Sequence, residues 1–307
     1  MNCLGLDTSN YTTSVALFDG RDGKNCSRLL DVRPGTLGLR QSDALFAHVK
    51  RLPELFARLL GGKEPSGIGA VGVSTRPRAV DGSYMPCFLA GESQAAVLAE
   101  VLGVPLHRFS HQQGHIAASL WSSGRMDLME RPHLAWHLSG GTTELLLVEP
   151  DGNAVRAKRI GGTNDISAGQ LIDRTGKLLG FSFPAGKELD ACSGQAQRTD
   201  FFRVRCSSTE FSLSGVENQV RQYAAAGASP ADTAAYAIRS VVGAVLAATE
   251  YALRAYPGFS VVFSGGVASN SLLRGQAAGF DAVFCPPEYA ADNAMGIAVL
   301  TWRQERG

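Results

Sequence analysis

Near its beginning the chain reads Cys3-Leu-Gly-Leu-Asp-Thr-Ser-Asn-Tyr-Thr-Thr-Ser-Val-Ala-Leu-Phe-Asp-Gly20. Two apolar runs flank a short polar turn, and a closing Asp-Gly pair completes the pattern of a β-hairpin. The same plan recurs at Leu134-Ala-Trp-His-Leu-Ser-Gly-Gly-Thr-Thr-Glu-Leu-Leu-Leu-Val-Glu-Pro-Asp-Gly152. In both copies a Thr-Thr pair is followed by a polar residue, four apolar residues and an Asp-Gly turn. The repeat predicts two duplicated domains.

Small residues dominate the turn of each copy, where backbone N–H groups can face a phosphate chain. A third glycine turn, Gly265-Gly266, follows the strand predicted at Ser260 to Ser264 and precedes a helix that starts at Ser269-Asn270. A strand, a glycine pair and a helix N-terminus in this order are typical of an anion or nucleotide site. Two ordinary hairpins are the alternative to this interpretation of the repeat.

Length and composition agree with two domains. The 307 residues are 45% apolar, which is enough for two cores. The polar, turn-rich stretch Ser122 to Pro132 is the best boundary, so we expect domains at 1–131 and 132–307. The 29 basic and 28 acidic residues exclude a globally basic nucleic-acid-binding protein but allow local patches, at Arg76 and Arg78 or at Arg156 to Arg159.

Cysteine usage and hydropathy indicate a cytoplasmic protein. The six cysteines are scattered without Cys-x-x-Cys spacing, which favours buried, reduced thiols. The sequence shows neither a basic leader with a cleavage site nor an apolar run long enough to span a membrane. We therefore expect a cytoplasmic location and no membrane partner.

The stretch Ser110-His-Gln-Gln-Gly-His115 carries the clearest chemical signal. Ser110 and Gln113 form a capping-box pattern, and His111 and His115 lie four residues apart on one face of the predicted helix. Two imidazoles can bind a metal ion, although two ordinary surface histidines are an open alternative. A third ligand must come from a distant segment, for which Asp292 is the acidic candidate. Gln112 stands where a zinc protease has its glutamate, which disfavours proteolysis.

Other segments give coarser predictions. Asp43 to Leu60 has helical periodicity that Pro53 would bend or divide. Phe181 to Ser214 is rich in glycine and proline and is predicted to be irregular up to a helix near Val216. Asp232 to Tyr256 is the longest predicted helix, and its nearly uncharged, alanine-rich sequence indicates a core helix.

Five motifs occur in one order over the whole chain. They are His111-Gln-Gln-Gly-His115, Ser139-Gly-Gly-Thr142, Phe211-Ser-Leu-Ser-Gly215, Gly265-Gly-Val-Ala-Ser-Asn270 and Ala291-Asp-Asn293. With these motifs the chain resembles the TsaD/Gcp family of tRNA N6-threonylcarbamoyladenosine transferases, formerly called O-sialoglycoprotein endopeptidases. The resemblance implies an α/β fold of two duplicated actin-like/sugar-kinase-like (ASKHA) domains, with a nucleotide and metal cleft between them.

The resemblance also implies a reaction, cofactors and partners. The family transfers a threonylcarbamoyl group from its adenylate to an adenosine of tRNA next to the anticodon. One divalent metal, iron or zinc, would be held by His111, His115 and Asp292. An adenine nucleotide, ATP or an acyl-adenylate, is the second ligand, and tRNA and subunits of a TsaB/TsaE-like complex are the implied partners. The implied nucleotide and substrate contacts are His137, Leu138, Ser139, Gly140, Gly141, Thr142, Asp173, Gly186, Asp190, Gly265, Gly266 and Asn270.

Several positions depart from the family pattern. Tyr11 and Thr12 replace an acidic pair in the first hairpin, and the Gly-Pro-Gly loop becomes Thr75 to Gly82. Thr142 replaces a histidine, Gln170 a glutamate and Glu217 a lysine. These changes leave two alternatives to the tRNA enzyme. One is a divergent paralogue that binds metal and nucleotide and transfers a carbamoyl or acyl group to a small acceptor; the other is a non-catalytic partner subunit.

Overall fold

The computed structural model describes residues 1–9, 11–31, 40–61, 67–290 and 292–307. Asn10 in the first hairpin and Ala291 in the last motif lie outside the described residues. The chain forms two compact units. Unit 1 contains Met1–Arg131, Glu149–Ala157 and Asp292–Gly307, and unit 2 contains Pro132–Val148 and Lys158–Ala291.

The described strands are β1 (Asn2–Thr8), β2 (Thr12–Phe18), β3 (Gly23–Leu29), β4 (Ile68–Arg76), β5 (Leu106–Ser110), β6 (His133–Leu138), β7 (Thr143–Asp151), β8 (Ala154–Thr163), β9 (Glu210–Phe211), β10 (Val261–Ser264) and β11 (Ala282–Phe284). The described α-helices are α1 (Gln41–Leu60), α2 (Phe88–Leu102), α3 (His111–Ser122), α4 (Ala168–Leu178), α5 (Gly186–Ser193), α6 (Ser214–Ala225), α7 (Pro230–Ala255), α8 (Ser271–Gln276), α9 (Pro287–Ala290) and α10 (Met295–Arg306). Short 3₁₀ helices cover Met126–Glu130, Gly266–Ser269 and Ala277–Gly279.

The two sheets share one topology. The first has the strand order β3-β2-β1-β4-β5, and the second has the order β11-β10-β6-β7-β8-β9. In the first sheet β1 pairs antiparallel with β2 and parallel with β4, and in the second β6 pairs antiparallel with β7 and parallel with β10. Apart from the short edge strand β9, the second sheet repeats the first. The predicted duplication is confirmed.

The two hairpins keep the same register. Thr8 lies opposite Thr13 in the first, and Leu138 lies opposite Thr143 in the second. The second threonine of each pair is buried and its hydroxyl is bonded to a helix of its own unit. Thr13 Oγ1 is 2.8 Å from His48 Nδ1 on α1, and Thr143 Oγ1 accepts a 2.8 Å hydrogen bond from the backbone N–H of Ala168 at the start of α4.

The C-terminal residues belong to unit 1. The sequence-based boundary at 131/132 assigned residues 292–307, including Asp292, to the second domain, whereas the structure packs Asp292–Gly307 with Met1–Arg131. Glycines explain the close packing of α10, because a Cβ on Gly296 would lie 1.8 Å from the carbonyl oxygen of Gly114 on α3. A Cβ on Gly5 of β1 would likewise lie 2.5 Å from the carbonyl oxygen of Ala294.

Two local predictions, a division of the first helix at Pro53 and an irregular segment after Phe181, differ from the structure. Helix α1 runs without a break through Pro53, which lies on its exposed face, where the carbonyl that loses its helical partner can bond to water. The segment from Phe181 to Ser214 contains α5 instead of being wholly irregular. Leu189 is the one buried residue of α5, so the sequence of this helix shows no apolar periodicity that could be detected.

Helix α7 is the core of unit 2. By length and composition it could cross a membrane, but 72% of its most apolar stretch is buried inside the protein. Its buried face contacts Trp136 and Phe263 in one apolar cluster. This confirms the predicted core helix. All six cysteines are free, as expected; four of them are buried, whereas Cys192 and Cys206 are partly exposed.

Candidate active site

Helix α3 positions two of the predicted metal ligands. Ser110 Oγ accepts from the backbone N–H of Gln113, and Gln113 Oε1 accepts from the backbone N–H of Ser110, so the predicted capping box is present. The helix therefore begins at His111, and His115 lies one turn later on the same face. The imidazole Nε2 atoms of the two residues are 2.9 Å apart.

Asp292 lies three residues before α10 and completes the cluster. Its Oδ1 atom is 2.9 Å from His115 Nε2 and 3.4 Å from His111 Nε2. Two hydrogen bonds from backbone N–H groups to asparagine side chains fix the turn that carries Asp292. Asn293 Oδ1 accepts from the backbone N–H of Met295, and Asn25 Oδ1 accepts from the backbone N–H of Ala294.

Asp7, near the end of β1, contacts the ring nitrogen of His111 that faces away from His115 and Asp292. Its Oδ2 atom is 2.6 Å from His111 Nδ1, on the side of the ring opposite Nε2. Its Oδ1 atom accepts from Ser74 Oγ at 2.7 Å and from the backbone N–H of Ser9 at 3.1 Å. Asp7 is 1% exposed, so these three donors replace the water that a carboxylate otherwise requires.

The charges in the cluster shift the pKa values of its members. Burial alone would lower the pKa of His111, but the Asp7 charge and hydrogen bonds to Asp292 and Asp7 raise it above the usual range. Burial alone would raise the pKa of Asp292, but hydrogen bonds and attraction from His111 and His115 hold it well below the usual range. The Asp292 carboxylate is therefore ionised at neutral pH, as a metal ligand must be.

This donor set fits a divalent transition metal. Two imidazole nitrogens and one carboxylate oxygen converge on one point, with mutual separations from 2.9 to 3.4 Å. Ligands about 2.1 Å from a tetrahedral ion lie roughly 3.4 Å apart, which the cluster approaches. Three protein ligands leave a coordination position open for substrate or water, as in catalytic sites. All three residues, and Asp7, belong to unit 1.

The predicted nucleotide residues all belong to unit 2, where two turns meet at one edge of the sheet. Because β6 and β10 are parallel neighbours, with His137 opposite Ser264, the turns that follow them lie side by side. A Cβ on Gly265, whose φ is +89°, would lie 2.2 Å from the carbonyl oxygen of Leu138, so only glycine allows this approach. In contrast, a Cβ on Gly140 or Gly141 would meet open space.

The N-terminus of α4 abuts the first of these turns. Ser167 caps α4 and donates from its hydroxyl to the carbonyl oxygen of Gly140 at 2.7 Å. Within the turn, Ser139 Oγ accepts from the backbone N–H of Thr142 at 3.1 Å. A compact backbone turn next to a helix N-terminus is suited to binding an anion. Thr142, which replaces a family histidine, is part of this turn.

Two carboxylates lie at α5. Asp173 on α4 accepts from the backbone N–H of Ala185 at 2.9 Å, just before α5, and burial raises its pKa. Asp190 lies one turn after Gly186, so the two share a face of α5. Asp190 in turn accepts from Asn270 Nδ2 at 2.7 Å, which ties α5 to the segment after Gly265 and Gly266.

Beside Asp190 the unit 2 surface forms a groove of about 400 Å³. Ser271 lines this groove and also donates from its hydroxyl to the Asp190 carboxylate at 3.0 Å. The groove is lined further by Ser193, Gly194, Arg239, Gly275 and Gln276. All the nucleotide residues named from the sequence thus lie on elements connected to one another within unit 2.

The departures from the family pattern have structural explanations in several cases. Gln170 completes a capping box with Ser167, a role that glutamine and glutamate fill equally. Glu217 pairs with Arg174 at 2.6 Å, which accommodates its negative charge. In the first hairpin the side chain of Tyr11 is 39% exposed, whereas that of Thr12 is buried.

Comparisons with known proteins assign the chain to a family. The model of the family described as "TsaD: tRNA N6-adenosine threonylcarbamoyltransferase" matches residues 38–299. A tRNA N6-adenosine threonylcarbamoyltransferase of Thermus thermophilus is 31% identical over 99% of this chain and 93% of the relative. The protein of the same name from Thermosipho africanus is 30% identical over 99% of this chain and 94% of the relative. The chain belongs to the TsaD family. TsaD-family proteins are transferases, so the expectation of an enzyme is confirmed.

Solved structures that resemble the TsaD-family chain confirm the ASKHA fold class. Component A of the (R)-2-hydroxyglutaryl-CoA dehydratase of Acidaminococcus fermentans superposes with a TM-score of 0.60 at 16% identity, covering 100% of both chains. A ROK hexokinase of Thermus thermophilus gives a TM-score of 0.52 at 14% identity, covering 100% of this chain and 99% of that one. At these identities the likeness concerns the fold alone.

The sequence interpretation overlooked Asp7 and Ser74. Both are buried polar residues near the ends of apolar strands, and β1 and β4 pair in parallel, with Leu6 opposite Val73. Polar residues that follow adjacent parallel strands lie at one edge of the sheet. Polar residues at the ends of two apolar strands were thus the sequence signal that could have identified Asp7 and Ser74.

Proposed function

We propose that this TsaD-family protein transfers a threonylcarbamoyl group from its adenylate to an adenosine of tRNA next to the anticodon. Family membership supports the reaction class, and the convergence of His111, His115 and Asp292 carries the proposal that a divalent ion, iron or zinc, takes part. When bound, such an ion supplies Lewis-acid polarisation of a carbonyl group and orients the carbamoyl-adenylate.

The residues of unit 2 are proposed to bind the adenylate. The backbone of the Ser139 to Thr142 turn and the N-terminus of α4 would bind its phosphate, because a glycine turn beside a helix N-terminus favours an anion. Asp190 and Asp173 would accept hydrogen bonds from the ribose hydroxyls. The 400 Å³ groove beside Asp190 has room for the adenine base.

Contact with tRNA is proposed to use a local basic patch and partner subunits of a TsaB/TsaE-like complex. Of the two patches in the sequence, the one after the second hairpin is partly neutralised, since Arg159 pairs with Glu210 at 2.9 Å and Arg156 with Glu149 at 3.6 Å. Arg76 and Arg78 form the other candidate patch. Binding to tRNA draws much of its affinity from cations that replace counterions on phosphates.

Complementation tests the proposal. The protein is expressed, with its cognate partner subunits, in cells depleted of their own TsaD, and threonylcarbamoyladenosine in bulk tRNA is measured by nucleoside mass spectrometry. We expect the wild type and Glu288→Ala, which removes an exposed carboxylate four residues before Asp292 in the sequence, to restore the modification, and Asp292→Ala to fail. If the wild type does not restore it with all partners present, the small-acceptor transferase replaces this proposal.

A further inference from the structure

The carboxylate of Asp7 is not one of the converging ligand groups, yet it is buried against one of them. Its Oδ2 atom lies 2.6 Å from His111 Nδ1, while His111 Nε2 faces His115 and Asp292. An ionised carboxylate only accepts hydrogen bonds, so Nδ1 must carry the proton. In the neutral ring that binds a metal ion, the other nitrogen, Nε2, is thereby left with its lone pair directed at the metal position.

Asp7 is itself held in a fixed orientation. Ser74 Oγ donates to Oδ1 at 2.7 Å and the backbone N–H of Ser9 donates to the same atom at 3.1 Å. Ser74 is fully buried on β4, the parallel neighbour of β1, so two strands of the sheet determine where the carboxylate lies. The first hairpin therefore reaches the cluster through a buried carboxylate that the sheet holds in place.

We infer that Asp7, oriented by Ser74, is a positioning residue that fixes the tautomer and ring orientation of His111 and increases its basicity as a metal ligand. The inference rests on the proposed metal site. It gives β1 a role in metal affinity, although β1 supplies none of the three ligand atoms. Carboxylates that accept from the second ring nitrogen of a ligand histidine typically change metal affinity by about 10- to 100-fold.

The test measures metal affinity without any assay of activity. Wild type, Asp7→Asn, Ser74→Ala and the ligand variant Asp292→Ala are titrated with Zn²⁺ in competition with a chromophoric chelator. Asp22→Asn, the same substitution at an exposed carboxylate of the β2–β3 turn, is the matched control. We expect one ion per chain for the wild type and Asp22→Asn, and about 10- to 100-fold weaker binding at unchanged stoichiometry for Asp7→Asn. Ser74→Ala should weaken binding less, and Asp292→Ala should lose most of it.

Two further readouts separate positioning from a structural ion pair. The absorption bands of bound Co²⁺ report ligand geometry, and they should shift in Asp7→Asn and in Ser74→Ala. Thermal unfolding in EDTA reports metal-free stability. A lower melting temperature with an unchanged Zn²⁺ affinity would overturn the inference and leave the metal site standing. If the wild type binds neither ion, the proposed metal site fails, and the role of Asp7 fails with it.

Discussion

His48 makes the stability of unit 1 depend on pH. The side chain is fully buried on α1, with Nδ1 2.8 Å from Thr13 Oγ1 in the first hairpin. Burial is the largest influence and lowers its pKa from 6.5 to about 4, although the nearby Asp7 charge opposes the shift. The folded state therefore holds a neutral imidazole under conditions in which the unfolded chain binds a proton.

The sign and size of the effect follow from this difference. The contribution of His48 is constant above pH 6.5, and it is lost as the pH falls from 6.5 towards 4, because the unfolded state then binds more protons. At 1.36 kcal/mol per pKa unit, the loss between pH 7 and pH 5 is about 2 kcal/mol.

Urea unfolding of the wild type and His48→Asn at pH 7 and pH 5 tests this magnitude. Asparagine places a polar atom near the position of Nδ1 and cannot titrate in this range. Tryptophan fluorescence is a suitable signal, since Trp121 and Trp302 both belong to unit 1. The variant should be less stable at pH 7 but should lose about 2 kcal/mol less than the wild type on going to pH 5. Equal losses in the two proteins would refute the reasoning.

Two further predictions concern packing and the nucleotide site. In thermal unfolding, Gly296→Ala should destabilise unit 1 by about 1–3 kcal/mol or more, because its Cβ would lie 1.8 Å from the Gly114 carbonyl oxygen. Gly275→Ala in α8, where a Cβ meets open space, should be neutral or slightly stabilising in the same assay. Asp190→Asn should weaken ATP and AMP binding about 5- to 30-fold by titration calorimetry, since a ribose hydroxyl would lose a charged acceptor. Glu188→Gln, an exposed acid on the same helix, is the control, and equal affinities for the two variants would remove Asp190 from the nucleotide site.

Features that depend on residues close in the sequence could be predicted, whereas contacts between distant residues could not. The hairpins, the capping box at Ser110 and the core helix α7 arise from periodicities and spacings within a few residues, so a single sequence displays them. The contact between Asp7 and His111 joins residues 104 apart, and the contact between Asp190 and Asn270 joins residues 80 apart. Only the strand order and helix packing bring such pairs together. The assignment of α10 to unit 1 has the same origin.

The two duplicated hairpins carry different side chains at equivalent positions. An offset of 130 residues aligns the Thr-Thr pairs, and it places Asp7 in register with His137, since Asp7 lies opposite Ser14 and His137 opposite Glu144. In the first copy this position is a buried carboxylate that contacts His111. Its turn carries the bulky Tyr11 in place of a family acid.

In the second copy the corresponding turn carries Gly140 and Gly141, and a Cβ on either residue would meet open space. A ligand phosphate can approach glycine backbone closely, whereas a tyrosine side chain prevents such an approach. We therefore propose that the second hairpin binds the anion and that the first supports the proposed metal ligands. On this proposal the replacement of the acidic pair by Tyr11 and Thr12 leaves both the proposed metal ligands and the proposed phosphate-binding turn intact.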